Sequence, residues 1–157
     1  MKGSQKVIAA LNKSLQEEFT ALSQYFIHSE MCENCKYDHL SKHLKKVSIM
    51  EMKHAEKLIE HILFLDGTPN MTGPTQIKVG KTVKDQLEND LKSELDAVKS
   101  YNDAVKLARA EGDNGSAEVF TANLRDEEVH TDWLEAQLSQ IKEIGYERYL
   151  SEQLRVE

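Results

Sequence analysis

The sequence predicts an all-α protein, a four-helix bundle with one long crossover and a short fifth C-terminal helix. Three observations carry that reading. Apolar residues recur at three- and four-residue intervals in four long blocks. Ala, Leu, Glu, Lys and Gln dominate, with only 2 prolines and 7 glycines and no run of alternating β-branched residues. The connections between blocks are short, long and short in turn.

The first helix is predicted from about Lys6 to Cys35, with Ile8, Leu11, Leu15, Leu22 and Phe26 marking its apolar side. The second runs from about His39 to Leu65 and stops at the Gly-Pro breaker in "DGTPN". The third runs from about Thr82 to Ala110 and stops at "EGDNGS"; the fourth starts near Ser116 and ends before Gly145. A short fifth helix, "YERYLSEQLR", follows. Few residues join helices one and two, or three and four, so each pair should form an antiparallel hairpin. Between two and three lies "DGTPNMTGPTQIKVGK". A stretch of that length spans roughly 50 Å, more than a helix of about 40 Å, and can return the chain to the other end of the bundle. Helices two and three should then run parallel. The 157 residues are expected to form a single domain, 1–157, with a real core.

The net charge of −7 argues against nucleic-acid binding and suits the attraction of cations. No stretch is apolar and long enough to cross a bilayer. "MKGSQKVIAALNKS" has no signal-peptide pattern, so a cytoplasmic location is expected. The 2 cysteines, Cys32 and Cys35, form one CxxC near His39 and His43. A reducing cytosol disfavours a disulfide, and with no second CxxC the plainest reading is two thiols at a helix end.

The chemistry lies in the buried stripes. Glu18 falls among Leu11, Leu15 and Leu22, and Glu51-x-x-His54 among Leu44, Val47, Leu58 and Ile62. Glu94 falls among Leu87, Leu91 and Val98, and Glu127-x-x-His130 among Phe120, Leu124, Leu134 and Leu138. An offset of 76 residues relates Glu18 to Glu94, Glu51 to Glu127, His54 to His130 and Tyr25 to Tyr101. Four buried carboxylates without compensation would unfold a domain of this size. Two histidines do not balance them, and no Lys or Arg lies on these stripes. Two metal cations would, each Glu-x-x-His ligating one ion while carboxylates bridge. Oxygen and nitrogen donors of this kind suit iron or manganese. Tyr25, two turns beyond Glu18 on the same face, is placed either to hydrogen-bond a ligand or donate an electron during oxidation, or to fill the core with a satisfied hydroxyl.

Met52 lies about 100° from Glu51 around the second helix, off the core face. Ile49, Ala55 and Ile59 share its side, and Ile8, Phe19 and Phe26 give helix one a second apolar side. This pattern predicts an isologous subunit interface. A methionine there is far more often a gap-filler than a ligand on spacing alone.

"MKG..KVI..LNK", "QYFIHS.M", "EMKHA.KLIE.ILFL.G.PN" and "LRDEE.H.DWLE.QL" resemble the bacterioferritins, across nearly the whole chain. The resemblance implies a ferritin-like bundle whose ferroxidase ligands match Glu18, Glu51, His54, Glu94, Glu127 and His130, holding two iron ions per subunit. It implies oxidation of Fe(II) to Fe(III) by dioxygen or peroxide and storage as a ferric mineral inside a hollow shell of 24 subunits built from dimers. It matches Met52 to the axial ligand of a haem b shared by two subunits, which assists reductive iron release with a bacterioferritin-associated ferredoxin as donor. A second ferritin-type subunit in a mixed shell is compatible with it, and nucleic-acid and membrane partners are not expected. Three positions depart from the family pattern. Lys46 and Met50 stand where some members carry a His and an Asp that bind iron on the inner wall, and Cys35 replaces a common tryptophan. The rival functions are a stand-alone di-iron oxidase or peroxidase, disfavoured by the lack of a four-cysteine module, and a non-catalytic shell subunit, disfavoured by a complete ligand set.

Overall fold

The computed structural model describes residues 1–154. Five helices follow in order: α1 (Gln5–Asn34), α2 (Asp38–Phe64), α3 (Val83–Ala110), α4 (Asn114–Ile144) and α5 (Tyr146–Ser151). The expected boundaries hold to within two residues for the four long helices. The fifth is shorter than expected, since it gives way to turns after Ser151; Arg155, the end of the expected helix, lies outside the described residues. None of the described helices is long and apolar enough to cross a membrane.

Local chemistry sets the ends. The Thr82 hydroxyl accepts from Asp85 N–H at 3.1 Å and Asp113 accepts from Ser116 N–H at 2.9 Å, each satisfying an orphan donor of a helix start. Three helices close with the same left-handed turn. Its left-handed residue is Lys36 (φ 63°) after α1, Asp66 (φ 58°) after α2 and Gly112 (φ 71°) after α3. The following N–H reaches back to Cys32, Ile62 and Ala108 carbonyls respectively, at 3.0, 2.9 and 2.8 Å. Only one of the three is a glycine; the others tolerate the steric cost because the surrounding hydrogen bonds fix the turn.

Helix direction follows from contacts between remote residues. Ser4, before α1, donates to Glu111, after α3, at 2.9 Å, while His28 near the other end of α1 meets Asp90 near the start of α3. Helices α1 and α3 are therefore antiparallel. Gly3 N–H bonds the Leu65 carbonyl at 3.0 Å, so α1 and α2 are antiparallel too. Helices α2 and α3 consequently run parallel, as the crossover length requires.

A polar ladder fastens that crossover. Asn12, Gln16, Thr20, Gln24 and His28, spaced four apart on α1, accept from the backbone N–H groups of Asn70, Thr72, Thr75, Lys78 and Gly80. These bonds supply partners that a long irregular segment cannot make for itself. At its end Gly80 lies so close to α3 that a Cβ there would sit 2.3 Å from Gln86 N.

The core divides into two apolar layers. One holds Leu11, Leu15, Leu58, Ile62 and Phe120; the other holds Leu40, Leu44, Leu87, Leu134 and Tyr149. Polar residues occupy the gap between them.

Two residues of the expected interface are corrected here. Ile8 and Ala55 are buried in the first core layer and are not part of a free face. The start of the crossover covers Ile8, whose Cγ2 would lie 2.9 Å from a Cβ on Gly67. Phe26, Ile49 and Met52 remain exposed at 52%, 47% and 49%.

Candidate metal centre

The gap is filled by the six residues singled out in the sequence. Helix α1 contributes Glu18, α2 Glu51 and His54, α3 Glu94, and α4 Glu127 and His130, all buried. Their ligand atoms form two overlapping groups. Glu18, Glu51, His54 and Glu127 make one; Glu51, Glu94, Glu127 and His130 make the other, with donor atoms within 4.8 Å of one another in each. Glu51 and Glu127 belong to both. The repeat that relates the hairpins in sequence thus becomes a two-fold arrangement in space, with one carboxylate of each Glu-x-x-His shared.

Both histidines turn Nδ1 inward. His54 Nδ1 lies 2.8 Å from Glu127 Oε1, 3.3 Å from Glu51 Oε2 and 3.4 Å from Glu18 Oε1. His130 Nδ1 lies 2.9 Å from Glu51 Oε1 and 3.3 Å from Glu94 Oε1. Several of these atoms are close without the geometry of a hydrogen bond. Glu18 Oε2, Glu51 Oε1, Glu94 Oε2, Glu127 Oε1 and His130 Nδ1 are buried and have no hydrogen-bond partner. Such orphans cost about 1–3 kcal/mol each or more when charged, so a cluster of them marks a place for ions.

Tyrosines tie the halves together crosswise. Tyr25 O–H donates to Glu94 Oε1 at 2.6 Å, and Tyr101 O–H donates to Glu18 Oε1. Each phenol of one hairpin orients the terminal carboxylate of the other. Burial, then the neighbouring carboxylates, hold both phenols well above their ordinary range, so they stay donors. Both readings of Tyr25 are therefore met in one residue: it fills the core and bonds a candidate ligand.

Charge in the cluster is held by protons. Burial, reinforced by Glu18 and Glu127, raises the Glu51 carboxyl well above its usual value. Burial and Glu127 do the same at Glu94. At His54 and His130 burial works downward, but the bonded carboxylates outweigh it; His54 is raised, and His130 is pushed up to about 12. Glu127 is depressed despite its burial, because Glu94 and the two imidazoles beside it favour its charged form.

The remaining polar candidates separate from this centre. Cys32 is buried in the last turn of α1, its thiol donating to Gln86 Oε1 at 3.4 Å and pushed up to about 12 by burial. Cys35 is exposed at the helix end. Neither joins His39 or His43 in a group able to hold a metal. His43 stacks on Trp133 instead, with ring centroids 3.7 Å apart.

Two features were not legible in the sequence. Asp126 Oδ2 lies 2.8 Å from His54 Nε2, on the far side of the ring from the cluster. Within the acidic run Asp126-Glu127-Glu128 nothing but contact across the bundle distinguishes it. A buried set of Gln24, His28 and Asp90 lies behind the crossover, with His28 Nδ1 2.9 Å from Asp90 Oδ1 and Gln24 donating to the same oxygen at 2.8 Å. Gly80 N–H donates to His28 Nε2, so that nitrogen is the acceptor and the ring proton sits on Nδ1, facing Asp90.

Residues 8–144 match the Ferritin family, described as a ferritin-like domain. The bacterioferritin of Brucella melitensis is 42% identical over 149 residues, which cover 95% of this chain and 92% of that protein. The bacterioferritin of Streptomyces coelicolor is 40% identical over 96% of this chain and 90% of its own length. That of Rhodobacter capsulatus is 40% identical over 92% and 90%. Likeness at this level along almost the entire chain, joined to the ferritin-like bundle and its buried Glu/His centre, shows that the chain belongs to the bacterioferritin family.

Proposed function

We propose that Glu18, Glu51, His54, Glu94, Glu127 and His130 bind two ferrous ions side by side and that the pair is oxidised there. The chain is an iron-storage ferroxidase subunit. The observation that supports this is the sharing of Glu51 and Glu127 between both candidate ligand groups, which would set two bound ions next to each other in one site. Each ferrous ion gives up one electron. Two bound together supply the pair that reduces dioxygen to peroxide, or peroxide to water, with protons taken from solution. Helix positions fix the donors before iron arrives, so little reorganisation is needed. Tyr25 and Tyr101 keep the terminal carboxylates in place.

An opening leads to this centre from outside the bundle. Gln16, Thr20, Thr75, Lys78 and Asn89 line it, with Glu18, Glu51, Glu94 and Glu127 at its base. It gives iron and oxidant a route to the buried carboxylates. The oxidised iron is stored as a ferric mineral inside a shell of 24 subunits built from dimers, the assembly the family resemblance implies.

Met52 fits a haem at the two-fold contact of such a dimer. Its half-exposed thioether opens into an apolar hollow formed with Leu22, Phe26, Ile27 and Ile49. A thioether is a soft axial donor and these side chains suit a flat apolar ring. When bound, haem b supplies one-electron chemistry for reductive release of stored iron, with a small ferredoxin as donor.

The test is anaerobic addition of ferrous iron to the metal-free assembly, then air, with absorbance followed throughout. Fast oxidation saturating at the two ions the ligand groups provide for supports the reading, and a slower phase beyond it shows storage. Slow oxidation without saturation refutes it. Glu51→Ala and His130→Ala should lose the fast phase while the assembly persists.

A further inference from the structure

The two halves of the metal centre follow the 76-residue offset at every ligand, but not at the outer nitrogens of the two histidines. His54 gives its outer nitrogen, Nε2, to Asp126 Oδ2 at 2.8 Å while Nδ1 faces the cluster. Asp126 is 39% exposed on its side chain, so water serves its remaining acceptor sites and the carboxylate stays available to the ring. Its counterpart in the other half, 76 residues earlier, is Met50. A thioether is a weak acceptor and carries no charge. Among the described residues the carboxylates close to His130 all face its Nδ1, and no side chain accepts from its Nε2.

This difference bears on metal binding. An imidazole that donates its outer N–H to a carboxylate is held in one tautomer and one orientation and is the more basic ligand. An imidazole without that partner is anchored from one side only, here by the carboxylates that face His130 Nδ1. We infer that Asp126 is a positioning residue for His54, and that the lack of its counterpart makes the two metal positions unequal. The ion held by Glu18 and His54 binds tightly; the ion held by Glu94 and His130 is the exchangeable one. This rests on the di-metal reading above and adds an order of filling to it.

The experiment is anaerobic titration of the metal-free assembly with Co(II), a probe that dioxygen-free buffer leaves unoxidised. Ligand-field absorbance and heat are recorded together. The wild type should bind two Co(II) per chain in two steps whose affinities differ by roughly tenfold to a hundredfold, the usual cost of losing an outer-shell partner. Glu18→Gln should remove the tight step and Glu94→Gln the weak one. Asp126→Ala should weaken the tight step about tenfold or more and leave the weak step unchanged. Asp126→Asn, whose amide oxygen still accepts from Nε2–H, should recover part of that loss, which a general effect on folding would not show. Met50→Asp restores a carboxylate opposite His130 and should tighten the weak step. Two equal steps in the wild type, or equal weakening of both by Asp126→Ala, overturns the inequality and leaves the di-metal reading standing. Fewer than two Co(II) bound per wild-type chain overturns the di-metal reading, and the inequality with it.

Discussion

Metal loading of the centre should release protons, up to four per chain. The ceiling comes from the four ligand residues whose hold on a proton is strengthened when no ion is bound: Glu51, Glu94, His54 and His130. Burial keeps the first two protonated, well above the ordinary 4.5 of a carboxyl. Bonded carboxylates keep the second two protonated, above the ordinary 6.5 of an imidazole. Each must give up its proton before its oxygen or Nδ1 can ligate. Every proton displaced makes the overall association constant about tenfold larger per unit rise in pH. Each proton released therefore steepens the climb of metal affinity with pH. Stability follows the opposite sign when metal is absent. Groups raised in the folded state bind more protons there than in the unfolded chain, so Glu51 and Glu94 stabilise the metal-free protein most below the ordinary 4.5 of a carboxyl and the histidines below 6.5, and these contributions fade as pH rises above those values. Glu127, depressed in the folded state, works with the opposite sign and loses its contribution as pH falls below 4.5. The assay is calorimetric titration with Zn(II), which has no redox chemistry, in buffers of differing ionisation enthalpy at one pH. The dependence of heat on buffer gives the protons released. Release of one proton or none would mean that the ligands are already bare, and would refute the account of how the apo cluster balances its charge.

Three further outcomes are expected. Tyr25→Phe and Tyr101→Phe each remove a donor from one terminal carboxylate and should lower metal affinity about tenfold by the same titration, and should destabilise the metal-free protein by about 1–3 kcal/mol because a buried carboxylate oxygen loses its partner. Met52→Leu should abolish haem binding and leave the fast phase of ferrous oxidation intact, and Met52→His should keep haem with an altered absorption spectrum; haem retained at full stoichiometry in Met52→Leu would refute the axial assignment. Gly80→Ala puts a methyl group 2.3 Å from the Gln86 backbone and should cost about 1–3 kcal/mol or more, read by denaturant unfolding, with proteolysis concentrated in the loosened crossover.

The sequence by itself determined the bundle, its parallel inner pair and the six candidate ligands. These are properties of one-dimensional spacing: a 3.6-residue period places side chains on a face, and a connection too long for a hairpin places the next helix. The repeated offset of 76 residues made the polar positions stand out because buried carboxylates are expensive wherever they occur. The 3.6-residue period also showed Met52 as lying off the core stripe, and the structure leaves it half-exposed.

The tertiary structure alone decided which residues meet across helices. Nothing in the spacing of α1 shows that Tyr25 serves Glu94 while Tyr101 serves Glu18, since that exchange depends on the antiparallel packing of α1 against α3. The ladder from Asn12 to His28 looks like ordinary polar helix surface until the crossover is laid along it. Ile8 and Ala55 read as interface and proved to be core, because coverage by a neighbouring segment is not a property of the helix that bears them. Asp126 is one acid in a run of three until His54, 72 residues earlier, turns its outer nitrogen toward it. Periodicity reports which face a residue occupies; only packing fixes which atom from another helix comes to face it.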